Sequence, residues 1–457
     1  MAATRTRLVV VGGDAGGMTA ASQAHRLAGD ELEVVAFERG AFTSYSACGI
    51  PYWVAGDVGE PDDLVARSPD EHRRRGIDVR LRTEVTGIDV DRREVTAYDQ
   101  AEGREYTEPF DKLVVATGAA PARPPVPGVD SDGVFGVQTL DDGYALLAAL
   151  DDRAPRRAVV IGGGYIGVEM AEAMLRHGLD VTLVDRAPQP MTTLDPDMGA
   201  QLRDAMTGLG IDVVTDTAVE GIETAGGWVS AVVAGGTTYP ADLVVLGTGV
   251  RPATALARDA GLRLGDSGAI RTDLRMTVAG QDDIWAAGDC VESFDRVSQS
   301  WTHVPLGTHA NKQGRVAGTN IGGGYATFPG IVRTAVSKVC DLEIGRTGLR
   351  EKDATAAGFE YVVAKVDSTT RAGYFPGARP ITVKVLAEIG SGRLLGVQIV
   401  GREGAAKRID TCALALWNEM TVGELSMVDL SYAPPFSPVW DPVLIAARKA
   451  ADIVASS

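Results

Sequence analysis

The sequence predicts an α/β protein: two Rossmann-like dinucleotide-binding domains, the second inserted in the first, followed by a C-terminal α+β domain. Three observations carry this prediction. Two glycine-rich turns, GGDAGG at Gly12–Gly17 and GGGYIG at Gly162–Gly167, each follow a short apolar run and open an Ala-rich helical stretch. A carboxylate, Glu38 or Asp185, stands roughly 20 residues beyond each turn, where it can accept the hydroxyls of an adenosine ribose. After Tyr325 the pattern changes to strand-like runs followed by a helix.

Arg7–Val11 reads as a buried parallel strand, the stretch to Leu27 as a helix, and Glu33–Phe37 as a second strand ending at Glu38. Glycine lets backbone amides approach a pyrophosphate, and a helix N-terminus stabilises its charge. Asp14 takes the second glycine position, so this turn alone is equally readable as a tight strand-to-helix connection. The second copy resolves the choice. Ala158–Ile161 is a strand, Gly162, Gly164 and Gly167 complete the motif, a helix runs to His177 with Gly178 as its cap, and Asp180–Val184 returns to Asp185. FDKLVVATGAAP, LVVLGTGVRP and WAAGDCVE place the first domain at 1–118 and 253–325, the second at 119–252 and the C-terminal domain at 326–457. Within the last, Tyr361–Val366, Ile381–Leu386 and Leu394–Val400 read as strands and Ala405–Asn418 as a helix.

At 457 residues the chain is long enough for two or three domains. No run approaches the roughly 18 consecutive apolar residues of a membrane helix, and MAATRTRLVVVGG shows no apolar leader, so a soluble cytoplasmic protein is expected. A net charge of -17 argues against nucleic-acid binding. The four cysteines, Cys48, Cys290, Cys340 and Cys412, show neither zinc spacing nor a disulfide framework, and the five histidines form no metal-ligand set. Cys290, Cys340 and Cys412 read as buried thiols, and His309 as structural. Cys48, in TSYSACGIPY, can attack a disulfide, take electrons from a flavin, or fill an apolar gap.

Taken together, these motifs resemble the pyridine nucleotide-disulfide oxidoreductases, the glutathione-reductase-like flavoproteins, over essentially the whole chain. The resemblance implies FAD on the first unit, held by Gly12, Gly13, Ala15, Gly16, Glu38, Arg39, Val85, Ala116, Thr117, Gly118, Asp289, Leu306 and Ala310. It implies NADH or NADPH on the second, held by Gly162, Gly164, Tyr165, Ile166, Glu169, Asp185, Arg186 and Gly249, with Tyr165 as a lid over the nicotinamide. Asp185 favours NADH by repelling a 2'-phosphate, and Arg186 opens dual use.

Dithiol members carry CxxxxC, but Thr43 stands five residues before Cys48, and the HxxxxE element that supplies their C-terminal base is replaced by SYAPPFSPVWDP. These features are similar to the coenzyme A disulfide reductase branch, with Ala47 where that branch has Asn. The resemblance implies a Cys48 that alternates between thiolate and a mixed disulfide with coenzyme A, a thiolate at neutral pH, and a homodimer whose Tyr374 and Tyr432 reach the partner's active site. Ser22, Gln23, Arg26, Ser44 and Arg75 would contact coenzyme A; Arg73–Arg75 also reads as a solvated helix end. The alternatives are an NADH oxidase or peroxidase cycling a sulfenic acid, against which Ala15 stands where those enzymes carry histidine, and a flavin-based redox-sensing protein.

Overall fold

The computed structural model describes residues 5–457; the first four residues of the N-terminal stretch lie outside them. The chain opens with β1 (Thr6–Val11), α1 (Ala15–Ala28), β2 (Leu32–Phe37), the short α2 (Ile50–Val54), α3 (Pro69–Arg74) and β3 (Ile77–Arg80). A meander of β4 (Thr83–Asp89), β5 (Glu94–Asp99) and β6 (Arg104–Pro109) follows, then β7 (Lys112–Val115). Leu8, Val9 and Val10 are fully buried, as a parallel strand covered on both faces requires.

The second unit comprises β8 (Ala119–Pro121), β9 (Val134–Gly136), α4 (Leu140–Arg153), β10 (Arg157–Ile161), α5 (Tyr165–Arg176), β11 (Asp180–Val184), α6 (Pro196–Gly208) and β12 (Asp212–Val214). The meander β13 (Val219–Ala225), β14 (Trp228–Ala234) and β15 (Thr237–Pro240) leads into β16 (Leu243–Leu246). This sheet has the order β12-β11-β10-β16-β9. β17 (Val250–Pro252) then pairs antiparallel with β8, so the chain leaves and re-enters the first unit side by side. After α7 (Ala255–Asp259), β18 (Ile284–Ala286) docks parallel on β7 and completes the first sheet, β18-β7-β1-β2-β3.

Both glycine turns are sterically obligatory. Gly12 has φ +113, and a Cβ there would meet the Ala116 carbonyl oxygen at 2.0 Å. A Cβ at Gly17 or Gly167 would meet the carbonyl oxygen of Gly12 or Gly162 at 2.0 or 1.9 Å, so the helices α1 and α5 could not seat on their strands. Asp14 is tolerated because its backbone is extended, φ -120 and ψ -157, a conformation open to any residue. Gly178 has φ +81 just past α5, as a helix-ending glycine does.

After the hairpin β19 (Ser293–Asp295) and β20 (Ser300–Thr302), α8 (Gly307–Ile321) packs along α1. The C-terminal sheet is antiparallel, β21-β22-β25-β24-β23, built from β21 (Ala335–Val339), β22 (Leu342–Gly348), β23 (Tyr361–Thr369), β24 (Pro380–Glu388) and β25 (Leu394–Gly401). Its helices are α9 (Glu351–Ala356), α10 (Ile409–Trp417), α11 (Val422–Ser426) and α12 (Pro442–Ser456). The single helix expected over 405–418 is instead a 3-10 turn, Ala406–Arg408, followed by α10. Lys384, buried in β24, lies 3.2 Å from Asp195, 2.6 Å from Asp197 and 2.5 Å from Glu351. Gln398 on β25 exchanges hydrogen bonds with Asp195 at 2.7 and 2.6 Å. This group clasps the start of α6 to the C-terminal sheet.

Cys290 and Cys412 are buried, as expected, but Cys340 is only half-buried. It occupies the β21–β22 turn with φ +47, where the chain must reverse, and its amide donates to Glu172 Oε2 at 2.7 Å. Among the described residues, no helix is long and apolar enough to cross a membrane, and no cluster of His, Cys, Asp and Glu is arranged to hold a metal.

Candidate active site

The two parallel units end in matching carboxylates. Glu38, at the tip of β2, accepts the Gly13 amide on Oε2 at 2.8 Å and the Gly40 amide on Oε1 at 2.7 Å. Asp185, at the tip of β11, accepts the Gly163 amide at 2.7 Å and the Ala187 amide at 2.9 Å. Each acid is thus fixed beside its own glycine turn, in the position from which a carboxylate meets a nucleotide ribose. Arg39 lies with Glu38, Tyr45 and Gln100 along one concave face, and Arg186 is exposed beside Asp185.

The first turn packs against the segments that follow β7 and β18. Neither α1 nor α5 has a side-chain cap, which leaves the amides at both N-termini open to an anion. The Asp14 carboxylate instead accepts the Tyr45 amide at 3.2 Å, and burial, reinforced by Glu38, pushes its pKa up to about 7. Ala116, Thr117 and Gly118 follow β7; the Thr117 hydroxyl donates to the Ala253 carbonyl at 2.6 Å and ties the two crossing segments. Asp289 lies in the loop after β18, and burial raises its pKa. That loop is braced by Gln313 on α8, whose Oε1 accepts the Gly288 amide at 2.9 Å while its Nε2 donates to Ser293 at 2.9 Å. Leu306 caps α8, Ala310 is buried in its first turn, and Val85 is half-buried on β4. His309, as expected, is structural: its ring pairs with the Val304 carbonyl at 3.1 Å.

Cys48 sits in a 3-10 turn, Ala47–Gly49, that runs directly into α2, and its residue is exposed. Thr43 is buried and donates its hydroxyl to the Gly13 carbonyl at 2.5 Å, so the Cys48 loop is hung from the first glycine turn. Ser44 has φ +52, and its hydroxyl pairs with Nε2 of the fully buried His72 at 2.9 Å. Although the residue is exposed, the polypeptide around the sulfur does not itself favour the thiolate expected there. Burial and the acidic neighbours Glu169, Asp289 and Asp14 push the Cys48 thiol above its ordinary value.

α5 packs against α2, which follows the Cys48 turn. The Tyr165 hydroxyl accepts from Arg346 Nε at 2.9 Å. One turn later Glu169 Oε1 accepts from Tyr52 at 3.4 Å and from Ser337 at 2.9 Å, and burial raises its pKa. Ile166 is half-buried beside Tyr165, and Gly249, φ +84, marks the turn between β16 and β17.

Ser22 and Arg26 lie one turn apart on α1, and Arg26 hydrogen-bonds the Gln23 side chain, whose amide also donates to Thr319 at 2.9 Å. Gly76, next to Arg75, packs against His25 of the same helix, so Arg75 and Arg26 edge one region. Both are exposed, and Arg75 is among the charges holding His72 down to about 4, after the effect of its burial. Tyr374 and Tyr432 come together in the C-terminal domain, where the Ala372 amide donates to the Pro434 carbonyl at 3.2 Å and the neighbouring Tyr374 phenol raises the Tyr432 pKa. Tyr374, Phe436, Val439 and Trp440 are largely exposed around them.

Sequence reasoning missed Tyr52, His72, Ser337, Arg346 and Gln313. For Tyr52 a signal existed: it follows Cys48 by one helical turn. The others reach the site from separate strands and helices and carry no local pattern.

The sequence model of the family described as pyridine nucleotide-disulphide oxidoreductase matches residues 6–314, and that of its dimerisation domain matches 334–442. An NAD(P)H coenzyme A polysulfide/persulfide reductase of Pyrococcus horikoshii is 38% identical over 97% of this chain and 98% of its own length. A protein named NADH oxidase from Methanocaldococcus jannaschii is 37% identical over 97% of this chain and 98% of its own. Among solved structures, an NAD-dependent persulfide reductase from A. fulgidus superposes with a TM-score of 0.95 at 38% identity, covering 99% of this chain and 84% of that one. With two glycine turns, an acid fixed beside each of them and one cysteine between them, the chain belongs to the pyridine nucleotide-disulphide oxidoreductases, as an NAD(P)H-dependent enzyme of a family that implies FAD.

Proposed function

We propose that the enzyme uses NAD(P)H to reduce coenzyme A disulfide, or a related coenzyme A mixed disulfide or persulfide, through Cys48 alone. The observation that carries this reading is the loop itself: Cys48 is exposed while Thr43, buried and hydrogen-bonded, occupies the place of a local resolving thiol. The Pyrococcus horikoshii relative named for coenzyme A polysulfide/persulfide reduction, and one from Pyrococcus furiosus named a CoA-dependent NAD(P)H sulfur oxidoreductase, support the same substrate class.

FAD fits the first unit, where Gly12 and Gly13 shape the turn, Ala15 and Gly16 stand at the uncapped N-terminus of α1, Glu38 meets the ribose, and Arg39, Val85, Ala116, Thr117, Gly118, Asp289, Leu306 and Ala310 line the remainder. When bound, it passes electrons from NAD(P)H to the sulfur site. NAD(P)H is held by the second turn, Asp185 and the Tyr165–Glu169 face of α5. The Cys48 thiolate attacks one sulfur of the substrate; a Cys48–coenzyme A disulfide forms and the first coenzyme A leaves as thiolate. Two electrons from NAD(P)H then break that bond and release the second coenzyme A, so NAD(P)H, one proton and one disulfide give NAD(P)+ and two thiols. Arg26 and Arg75 face the substrate phosphates, with Ser22, Gln23 and Ser44 alongside. The exposed apolar face around Tyr374 and Tyr432 forms a homodimer, through which both phenols reach the partner's leaving thiolate.

The intact mass of unreduced protein tests the reading. One coenzyme A adduct per chain, removed by a thiol reductant and absent in Cys48→Ser, is expected. Bare polypeptide, or added oxygen that reductant removes, favours oxidase chemistry, the activity for which the Methanocaldococcus relative is named.

A further inference from the structure

The two glycine turns share a backbone device and differ in what is added to it. In the first unit the Ser44 amide donates to the Gly13 carbonyl at 3.2 Å, and in the second the Met191 amide donates to the Gly163 carbonyl at 2.6 Å. Ser44 and Met191 also share a left-handed backbone, φ +52 and +53, so each loop hooks onto its own turn in the same way. The first unit adds two side chains at this place. The Thr43 hydroxyl donates to the Gly13 carbonyl at 2.5 Å, and the Asp14 carboxylate accepts the Tyr45 amide at 3.2 Å. In the second unit Pro190 precedes the hook and Gly164 stands in the turn, and neither has a polar side chain. Gly164 and Asp14 are both extended, so the turn itself requires no carboxylate there.

The loop so held is the one that carries the cysteine. On its other side the Ala66 amide donates to the Ser44 carbonyl at 2.8 Å, and the Ser46 amide donates to the Leu64 carbonyl at 2.8 Å. Tyr45 lies between these two bonds, with its own amide given to Asp14. The next carbonyl, that of Ser46, accepts the Gly49 amide at 2.9 Å and closes the 3-10 turn that contains Cys48.

We propose that Asp14 is a positioning residue for Cys48: standing where the motif has glycine, it holds the Tyr45 amide and thereby fixes the turn that presents the thiol. This role deepens the proposed function and rests on Cys48 being the reacting thiol. It accounts for a carboxylate at the place where a pyrophosphate would bind, a position in which its charge is otherwise unfavourable.

The test compares Asp14→Gly, Asp14→Ala and Asp14→Asn in the reduced holoenzyme. Glycine restores the motif's own residue and alanine suits an extended backbone, so neither strains the turn, while asparagine keeps the acceptor oxygen. Amide exchange over residues 45–49 and iodoacetamide alkylation of Cys48, both read by mass spectrometry, need no coenzyme A. Asp14→Gly and Asp14→Ala should speed both by about threefold to tenfold, the factor to which one lost hydrogen bond corresponds, and Asp14→Asn should stay within about twofold of wild type. Exchange across α1 and β2 should not change, and flavin content, read from the visible spectrum, verifies the fold. In turnover with coenzyme A disulfide, the glycine and alanine variants should lose kcat with KM nearly unchanged, because Arg26 and Arg75 are unaltered. A wild type that does not turn over this substrate refutes the proposed function and leaves exchange and alkylation to decide the role of Asp14. Wild-type exchange and alkylation in Asp14→Ala, loosening that spreads to α1 and β2, an Asp14→Asn variant that matches Asp14→Ala, or full kcat in a variant with a loosened loop overturns the proposal.

Discussion

Asp185 holds the amide of Gly163 at 2.7 Å just as Glu38 holds that of Gly13 at 2.8 Å, so each acid is fixed by its own glycine turn. An anchored carboxylate cannot swing away from a 2'-phosphate. NADH is therefore expected to be used at least as well as NADPH. Asp185→Ser, with Arg186 left exposed beside it, should raise the ratio of kcat/KM for NADPH over NADH by about tenfold or more, the equivalent of about 1.4 kcal/mol. A much higher kcat/KM for NADPH in the wild type would remove Asp185 as the dominant selector.

Asp14 gives a pH dependence whose sign follows from its pKa, ordinarily 3.8 and pushed up to about 7 in the fold. Below both values the carboxyl is neutral folded or unfolded. As pH rises, the unfolded chain ionises first, so the folded apoprotein loses stability between about pH 4 and about pH 7 and no further above that. Asp14→Asn should abolish this component. Urea midpoints of apoprotein should nearly coincide with wild type at the acid end and exceed it above neutrality. Flavin affinity should also fall in the wild type as pH passes about 7, because an ionised Asp14 would face a pyrophosphate.

Tyr374→Phe combined with Tyr432→Phe should slow turnover with coenzyme A disulfide by about tenfold to a hundredfold, at or below the usual range for losing a general acid. Anaerobic flavin reduction by NADH should stay nearly unchanged, since neither phenol belongs to the two dinucleotide-binding units. Sedimentation must show the dimer intact. Unimpaired turnover in that dimer would reduce both tyrosines to interface packing.

Lys384 is expected to matter for stability more than for chemistry. Lys384→Met leaves the buried Asp195 without its cation, which costs about 3–5 kcal/mol in comparable buried pairs. For a chain of this length unfolding as one unit, that is a fall of roughly 3–5 °C in the thermal midpoint. Flavin reduction by NADH should also become sensitive to temperature earlier, because the clasp joins α6 of the second unit to the C-terminal sheet.

Legibility in the sequence followed how local each constraint is. β1 and β10 are buried on both faces, so their continuous apolar runs are visible, and the turns that follow admit only glycine at Gly12, Gly17 and Gly167. The acids Glu38 and Asp185 sit at a fixed spacing from those turns. Cys340 was misjudged because a thiol in a β-turn and a thiol in a core strand look alike until the hairpin register is known. The electrostatics of Cys48 were also hidden: Glu169, Asp289 and Asp14 approach it from positions far apart in the chain, and no spacing in the sequence records their convergence.

The return of β18 to the first sheet has a consequence for biosynthesis. β7 ends at Val115, but its outer neighbour, Ile284–Ala286, is translated only after the whole inserted unit. At roughly 5–20 residues per second that interval is on the order of ten seconds or more. During it, one edge of the nascent N-terminal sheet has unpaired backbone groups, while residues 134–246 already hold every strand of their own sheet. The inserted unit can therefore fold before the one that encloses it, and chaperone demand should fall on the N-terminal segment, which is made first and closed last.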